Sequence, residues 1–174
     1  MPSEGGRAAR AVFTMEPRNA SHAEALFPVL SDPHLYEFLD EQPPASVAAL
    51  RERFAKSQSQ RSPDGSEHWL DWVVRDEAGV VAGQIQATLF PDTTANVAYV
   101  FARSHWGRGI AFLSVEQMLK TMRETFLVGT FYVVLERENH RSKRLAERLG
   151  FKAASLEAAA TKKLLDTEIM MSRA

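Results

Sequence analysis

The sequence predicts a mixed α/β (α+β) domain, and three observations carry that prediction. Two apolar runs, Val97 to Ala102 and Thr130 to Glu136, are separated by a long amphipathic segment. A strand, a helical crossover and a parallel partner strand are therefore expected. From Trp69 to Leu89 the period is two, interrupted by Asp76-Glu77-Ala78-Gly79, which is the pattern of an antiparallel hairpin. Nearer the N-terminus apolar residues recur at spacings of three and four, the helical period. A chain of 174 residues, 45% of them hydrophobic, suffices for one domain with a full core, expected over residues 11–174 behind a frayed stretch at 1–10.

Composition excludes several classes. Lys and Arg number 21 against 22 Asp and Glu, a formal charge of −1, so nothing draws the chain in bulk to nucleic acid or a membrane. No cysteine is present, which removes disulfides, thiolate metal sites and cysteine nucleophiles. The five histidines are scattered without metal-ligand spacing. No apolar run reaches the length of a membrane span, and Glu4 with Gly5-Gly6 does not suit a signal peptide. A cytoplasmic location is expected.

Taken in order, Ala11 to Met15 reads as a first strand. Ser21-x-x-Glu24 reads as a capping box opening a helix through Ala23, Leu26, Phe27 and Leu30, which Pro33 ends. A short helix is expected from His34 to Leu39, and another behind Ser46, with Val47, Leu50 and Phe54 on its apolar side. Ser57 to Ser66 is a loop around Pro63-Asp64-Gly65, and the hairpin follows it. Val97 to Ala102 lacks Gly and Pro and reads as a strand buried on both faces. Ala111, Val115, Met118, Leu119, Met122 and Phe126 then form one face of the central helix, with Glu116, Gln117, Lys120, Arg123 and Glu124 on the other. Asn139 is an N-cap and Gly150 the residue that closes the helix between them. Ser142, Ala146 and Leu149 share its inner face, so a hydroxyl points inward from the first turn, among Arg141, Lys143, Arg144 and Arg148 read as solvated. Lys152 to Ala160 and Thr167 to Ser172 are expected to close the sheet as an antiparallel pair, although the alanines leave a helix at Ser155 to Leu165 open.

The chemistry concentrates at Arg103-Ser104-His105-Trp106-Gly107-Arg108-Gly109-Ile110-Ala111, between strand and central helix. The first amides of a helix lack internal partners and carry the positive end of its dipole, and glycines let a ligand approach the main chain. A strand, a glycine-rich turn and a helix N-terminus make an anion site of the kind that holds phosphates. The dinucleotide fingerprint does not fit, because Phe112 stands where its third small residue belongs, and no Gly-Lys-Ser/Thr ending is present.

Trp106-x-x-Gly109-x-Ala111 resembles the pyrophosphate loop of the GNAT superfamily of acetyl-CoA-dependent N-acetyltransferases, departing from the usual Gln or Arg at its first position. The wording Trp-Gly-Arg-Gly-Ile-Ala is similar to that of the branch containing the ribosomal-protein N-terminal acetyltransferases. Asn139-x-x-Ser142 with Leu145-Ala146-Glu147-Arg148-Leu149-Gly150-Phe151 resembles the second hallmark segment of that superfamily. The resemblance implies a mostly antiparallel sheet with two splayed central parallel strands, flanked by helices, with acetyl-CoA in the gap. It implies main-chain pairing of pantetheine near Val100 and Phe101, and pyrophosphate on the amides of Trp106, Gly107, Arg108, Gly109, Ile110 and Ala111. Arg108 adds a charge-assisted hydrogen bond or is only a solvated surface arginine, Asn139 touches pantetheine or only caps its helix, and Ser142 protonates the departing thiolate or only supports the helix.

The implied reaction is direct attack of a neutral amine on the thioester, with an oxyanion held by a main-chain N–H near Val100 or Phe101. Deprotonating an α-amine of pKa about 8 costs about 1.4 kcal/mol at neutrality, against about 4.6 for a lysine of pKa about 10.4. Glu136, His140 and Tyr99 are candidates for a base or water relay, each with a structural alternative, and His105 is expected beside Trp106. The acceptor is then a peptide N-terminus, an amino acid or a small amine such as an antibiotic, and the chain acts as monomer or homodimer. The other reading is a non-catalytic acyl-CoA-binding module that keeps the loop without turnover.

Overall fold

The computed structural model describes residues 12–39 and 41–174; the frayed stretch expected at 1–10 and the expected strand start at Ala11 lie outside the described residues. The elements are β1 (Phe13–Pro17), α1 (Ala23–Leu30), α2 (Val47–Ser57), β2 (His68–Asp76), β3 (Val81–Leu89), β4 (Thr94–Phe101) and α3 (Ile110–Phe126). They continue with β5 (Thr130–Glu136), α4 (His140–Arg148), β6 (Lys152–Ala153), α5 (Leu156–Ala160) and β7 (Glu168–Arg173). The seven strands among the described residues form one sheet in the order β1-β2-β3-β4-β5-β7-β6, antiparallel except for β4 beside β5.

Period-two alternation decides which side of the sheet each residue serves. Leu70 and Val74 join Ile85, Val97 and Phe131 under α3, whose Val115, Met118, Leu119 and Met122 are buried against them. Val73 and Val81 face the other way, under Leu26 and Leu30 of α1 and Leu50 and Phe54 of α2. No helix among the described residues is long and apolar enough to cross a membrane.

Several expectations need correction. The first strand runs on to Pro17, pairing Phe13 with Asp76 and Pro17 with Trp72. The capping box sits at Asn19 and not at Ser21, because a 3-10 turn, Ala20–His22, precedes α1. The Asn19 side chain accepts from the Ser21 amide at 2.9 Å, and His22 Nδ1 accepts from the Asn19 amide at 3.0 Å. The helix expected over His34 to Leu39 is a single 3-10 turn, Pro33–Tyr36, begun by the Asp32 side chain accepting from the His34 amide. The expected terminal strand pair shrinks to two residues of β6, since Ser155 caps α5 by accepting from the Ala158 amide and takes the alanines into a helix.

The correction that matters most concerns β4. Its residues Ala95, Val97 and Phe101 are buried, but Ala98 is exposed and Tyr99 and Val100 are half-buried. The face that carries Ala98 is therefore not fully covered, and the edge toward the parallel neighbour is open as well. β4 and β5 pair only at Thr94–Thr130, Ala95–Phe131 and Asn96–Tyr132. Beyond that both strands run on unpaired to each other, and a gap opens between them.

Gly83 of β3 holds the far side of this gap in place. A Cβ there would stand 2.2 Å from the Val100 carbonyl oxygen and 2.8 Å from the Phe101 Cα, both backbone atoms that cannot swing aside. A Gly83→Ala substitution is expected to destabilise the fold by about 2 kcal/mol through overpacking, lowering the melting temperature by about 4–8 °C. Calorimetry checks this, and an unchanged melting temperature would mean that β4 yields freely.

Candidate active site

The loop entering α3 is built for open amides. Gly107 and Gly109 have φ of +74° and +79°, values that glycine reaches without strain, and Gly109 is the residue capping α3. The first helical bond is from the Leu113 amide to the Gly109 carbonyl at 3.1 Å. The amides of residues 107–112 have no acceptor among the described residues. A Cβ at Gly107 or Gly109 would meet nothing within 4 Å, so the space beside these amides is open, as a diphosphate requires.

Trp106 needs a correction. Its amide donates to the Arg103 carbonyl at 3.1 Å, so the donor set begins at Gly107. Its indole Nε1 donates to the Phe101 carbonyl at 2.9 Å, joining the loop to the end of β4, and the Arg141 guanidinium lies 3.5 Å over its ring. Arg108 is exposed and has no side-chain partner among the described residues. Ile110 turns its side chain into the core, leaving only its amide at the loop.

The orientation of the β4 main chain follows from one bond. The Ala102 amide donates to the Ala82 carbonyl at 2.8 Å. Successive peptide groups point in opposite directions along a strand. Val100 therefore turns its amide toward β3, whereas Tyr99 and Phe101 turn theirs toward the gap.

Across the gap stands the start of α4. Asn139 Oδ1 accepts from the Ser142 amide at 3.1 Å, the cap expected of it. Ser142 Oγ donates to the Tyr99 hydroxyl at 3.1 Å, and that hydroxyl donates to the Ser142 carbonyl at 3.3 Å. Burial pushes the Tyr99 phenol above its ordinary value, against the smaller lowering effect of the Ser142 hydrogen bond, so it keeps its proton through the neutral range.

Loop, gap and α4 open onto one cleft of about 1190 Å³, lined by Val100, Phe101, Trp106, Gly107, Gly109 and Ala111 with Asn139 and Ser142. Sequence reasoning missed Tyr99 as the partner of Ser142. The available signal was its spacing of two from Phe101, which puts both side chains on one face. It also missed that Arg141, Arg144 and Arg148 line the cleft, Arg148 at 4.9 Å over the Phe112 ring, although their spacing of three and four marks a common face. Glu136 lines the cleft, while His140 is exposed beside Glu138.

His105 does not merely pack. It is buried, and its Nε2 donates to Asp76 Oδ2 at 2.9 Å while Nδ1 accepts from Ser104 Oγ at 3.2 Å, the tautomer a carboxylate partner imposes. Asp76 also accepts from the Ala78 and Val80 amides, both at 3.0 Å, so the loop before α3 is tied to the β2–β3 turn. The His105 hydrogen bond holds the Asp76 carboxyl below its ordinary 3.8. This depressed value stabilises the fold above pH 3.8 and ceases to do so as pH falls through the folded value. Urea unfolding should therefore show an Asp76→Asn deficit that is constant from neutrality to about pH 5 and narrows below about pH 4. A deficit independent of pH would contradict the ionic part of the tie.

Free amides at a helix head, beside two parallel strands that part, define an acyltransferase drawing on acetyl-CoA. More narrowly, the chain belongs to the acetyltransferase (GNAT) domain family, whose model matches residues 13–152. No curated protein matches the sequence. Among solved structures it is similar to a ribosomal L7/L12 α-N-protein acetyltransferase in complex with coenzyme A, with 20% identity, TM-score 0.74, and 92% of this chain and 93% of that one covered. It is similar to the spermidine N-acetyltransferase of Vibrio cholerae in complex with coenzyme A and spermine, with 17% identity, TM-score 0.72, and coverage of 92% and 94%. It is similar also to the aminoglycoside acetyltransferase AAC(6′)-Ib in complex with coenzyme A, with 15% identity, TM-score 0.74, and coverage of 93% and 94%. Identity this low shows the fold and leaves the acceptor open.

Proposed function

We propose that the chain moves an acetyl group from acetyl-CoA to a primary amine by direct attack, with no acyl-enzyme intermediate. The observation that supports this best is the coincidence of unpaired amides at 107–112 with the gap between β4 and β5 and the Ser142–Tyr99 hydroxyl pair across it. Acetyl-CoA supplies a thioester whose carbonyl carbon the amine attacks. The amides of Gly107 to Phe112 bind its diphosphate, a role in which the Trp106 amide takes no part. The alternation along β4 favours the Phe101 amide over that of Val100 for the oxyanion.

Ser142 directs its proton to the Tyr99 hydroxyl at rest, which fixes the position of Oγ, and it protonates the departing thiolate by rotating that proton away from Tyr99. A thiolate of pKa about 8.5 by analogy with cysteine gains from an acid without depending on one. Glu136 is the carboxylate we assign to the amine's proton, although Glu37, Glu41 and Glu168 also line the cleft, and an acceptor of low pKa, such as an α-amine, asks least of it. The test is release of free CoA with acetyl-CoA and a panel of peptides, amino acids and small amines. Transfer to any amine supports the reading; binding of acetyl-CoA with no transfer would leave a non-catalytic acyl-CoA-binding module.

A further inference from the structure

The sheet face opposite α3 carries a polar patch that the acetyl-transfer chemistry leaves unused. The registers Asp71–Gln86, Gln86–Ala98 and Gln84–Val100 place these side chains on one face, beside the open edge of β4. α1 and α2 cover the apolar part of that face, and the polar part lines the cleft. Arg18, just past β1, reaches over it. Its side chain is 5% exposed and that of Asp71 10%, and Nη2 donates to Asp71 Oδ2 at 2.5 Å and to Ser57 Oγ at 3.1 Å. The guanidinium lies 4.2 Å over the Phe54 ring.

This ion pair sets the direction of two amides. Arg18 Nη1 donates to Gln84 Oε1 at 2.7 Å, and Gln86 Nε2 donates to Asp71 Oδ1 at 3.0 Å. A guanidinium only donates and a carboxylate only accepts, so neither glutamine can flip without losing its bond. Gln84 must turn its NH₂ away from Arg18, and Gln86 its oxygen away from Asp71. Neither group has a hydrogen-bond partner among the described residues, and both residues line the cleft, to which the two free groups are open although Gln84 as a whole is only 4% exposed. A ligand that displaces solvent from these two groups keeps their hydrogen bonds only if it offers an acceptor to one and a donor to the other.

We propose that Gln84 and Gln86, oriented by the Arg18–Asp71 pair, are the specificity-determining residues for the acceptor. They read an uncharged group that both accepts and donates, with the chemistry of a carboxamide, carried close to the reacting amine. Two residues apart on a strand they stand about 7 Å from each other, a span that one amide with a hydrogen bond at each side fills. The charges of Arg18 and Asp71 cancel, so the patch offers no attraction to a second ammonium group. Polycationic amines are therefore not the class that this patch selects. This deepens the acetyltransferase reading and rests on it.

The test compares kcat/KM for an amino-acid amide with that for a simple alkylamine, at equal free-base concentrations, in wild type, Gln84→Met and Gln86→Met. Wild type should favour the amide, and each variant should lower the ratio roughly tenfold, chiefly through KM. Asp71→Asn should lower the same ratio by releasing Gln86; a merely structural loss would affect both acceptors alike and leave the ratio unmoved. Thermal melting and acetyl-CoA affinity report whether each variant is folded. A ratio unchanged in both glutamine variants, or a wild-type preference for the alkylamine or a polyamine, overturns the subsite while leaving the transferase intact. Wild type that binds acetyl-CoA and acetylates no amine overturns the transferase reading, and the subsite with it.

Discussion

A Gly109→Glu variant is expected to lose more than about a hundredfold in acetyl-CoA affinity. Two effects act together. Gly109 has φ of +79°, where an L-residue is strained by about 1–2 kcal/mol. The larger effect is occupancy: a carboxylate at the head of α3 takes the unpaired amides for itself, since they attract any nearby anion. A Gly109→Ala control separates the two, for it carries the backbone strain without the charge. It should lose about 1 kcal/mol of stability and much less affinity than the glutamate variant. Titration calorimetry decides. Unchanged affinity in Gly109→Glu would mean that the diphosphate binds elsewhere.

The second large effect is expected at Ser142. Ser142→Ala should lower kcat about ten- to a hundredfold while changing acetyl-CoA affinity little, because it removes a proton source without touching the loop amides. Tyr99→Phe should have a smaller effect in the same direction, since it removes only the partner that aims the serine. Burial keeps the Tyr99 proton in place through neutral pH, so neither loss should vary strongly between pH 6 and 8. An unaltered rate in Ser142→Ala would return that residue to supporting its helix.

Much of this site was legible in the chain because local rules wrote it. The glycines around Arg108, the Asn139 cap and Gly150 at φ +84° all act on neighbours within four residues, so spacing alone reveals them. The misreading of β4 as covered on both faces had a definite cause. An apolar run looks the same whether or not every residue on its face is covered, and Ala98 is left exposed. The pairs on which the proposed chemistry rests are remote: Ser142 meets Tyr99 across 43 residues, and Arg18 meets Asp71 across 53. No period in the sequence links such positions, and a polar residue on a strand face reads as solvated until a neighbour closes over it. Arg18 is the clearest case, since nothing before the fold distinguishes it from a surface arginine.

The chain has three tryptophans, and two of them line the cleft. Trp106 lies under Arg141 by the glycine loop, Trp69 lines the cleft from β2, the side proposed for the acceptor, and Trp72 packs against the core. The protein thus carries its own optical reporters. Adding CoA alone should perturb the emission of Trp106, and a Trp106→Phe variant should silence that response. A ligand reaching the opposite mouth would be recorded by Trp69 instead, so the two occupancies can be followed separately without attaching a dye.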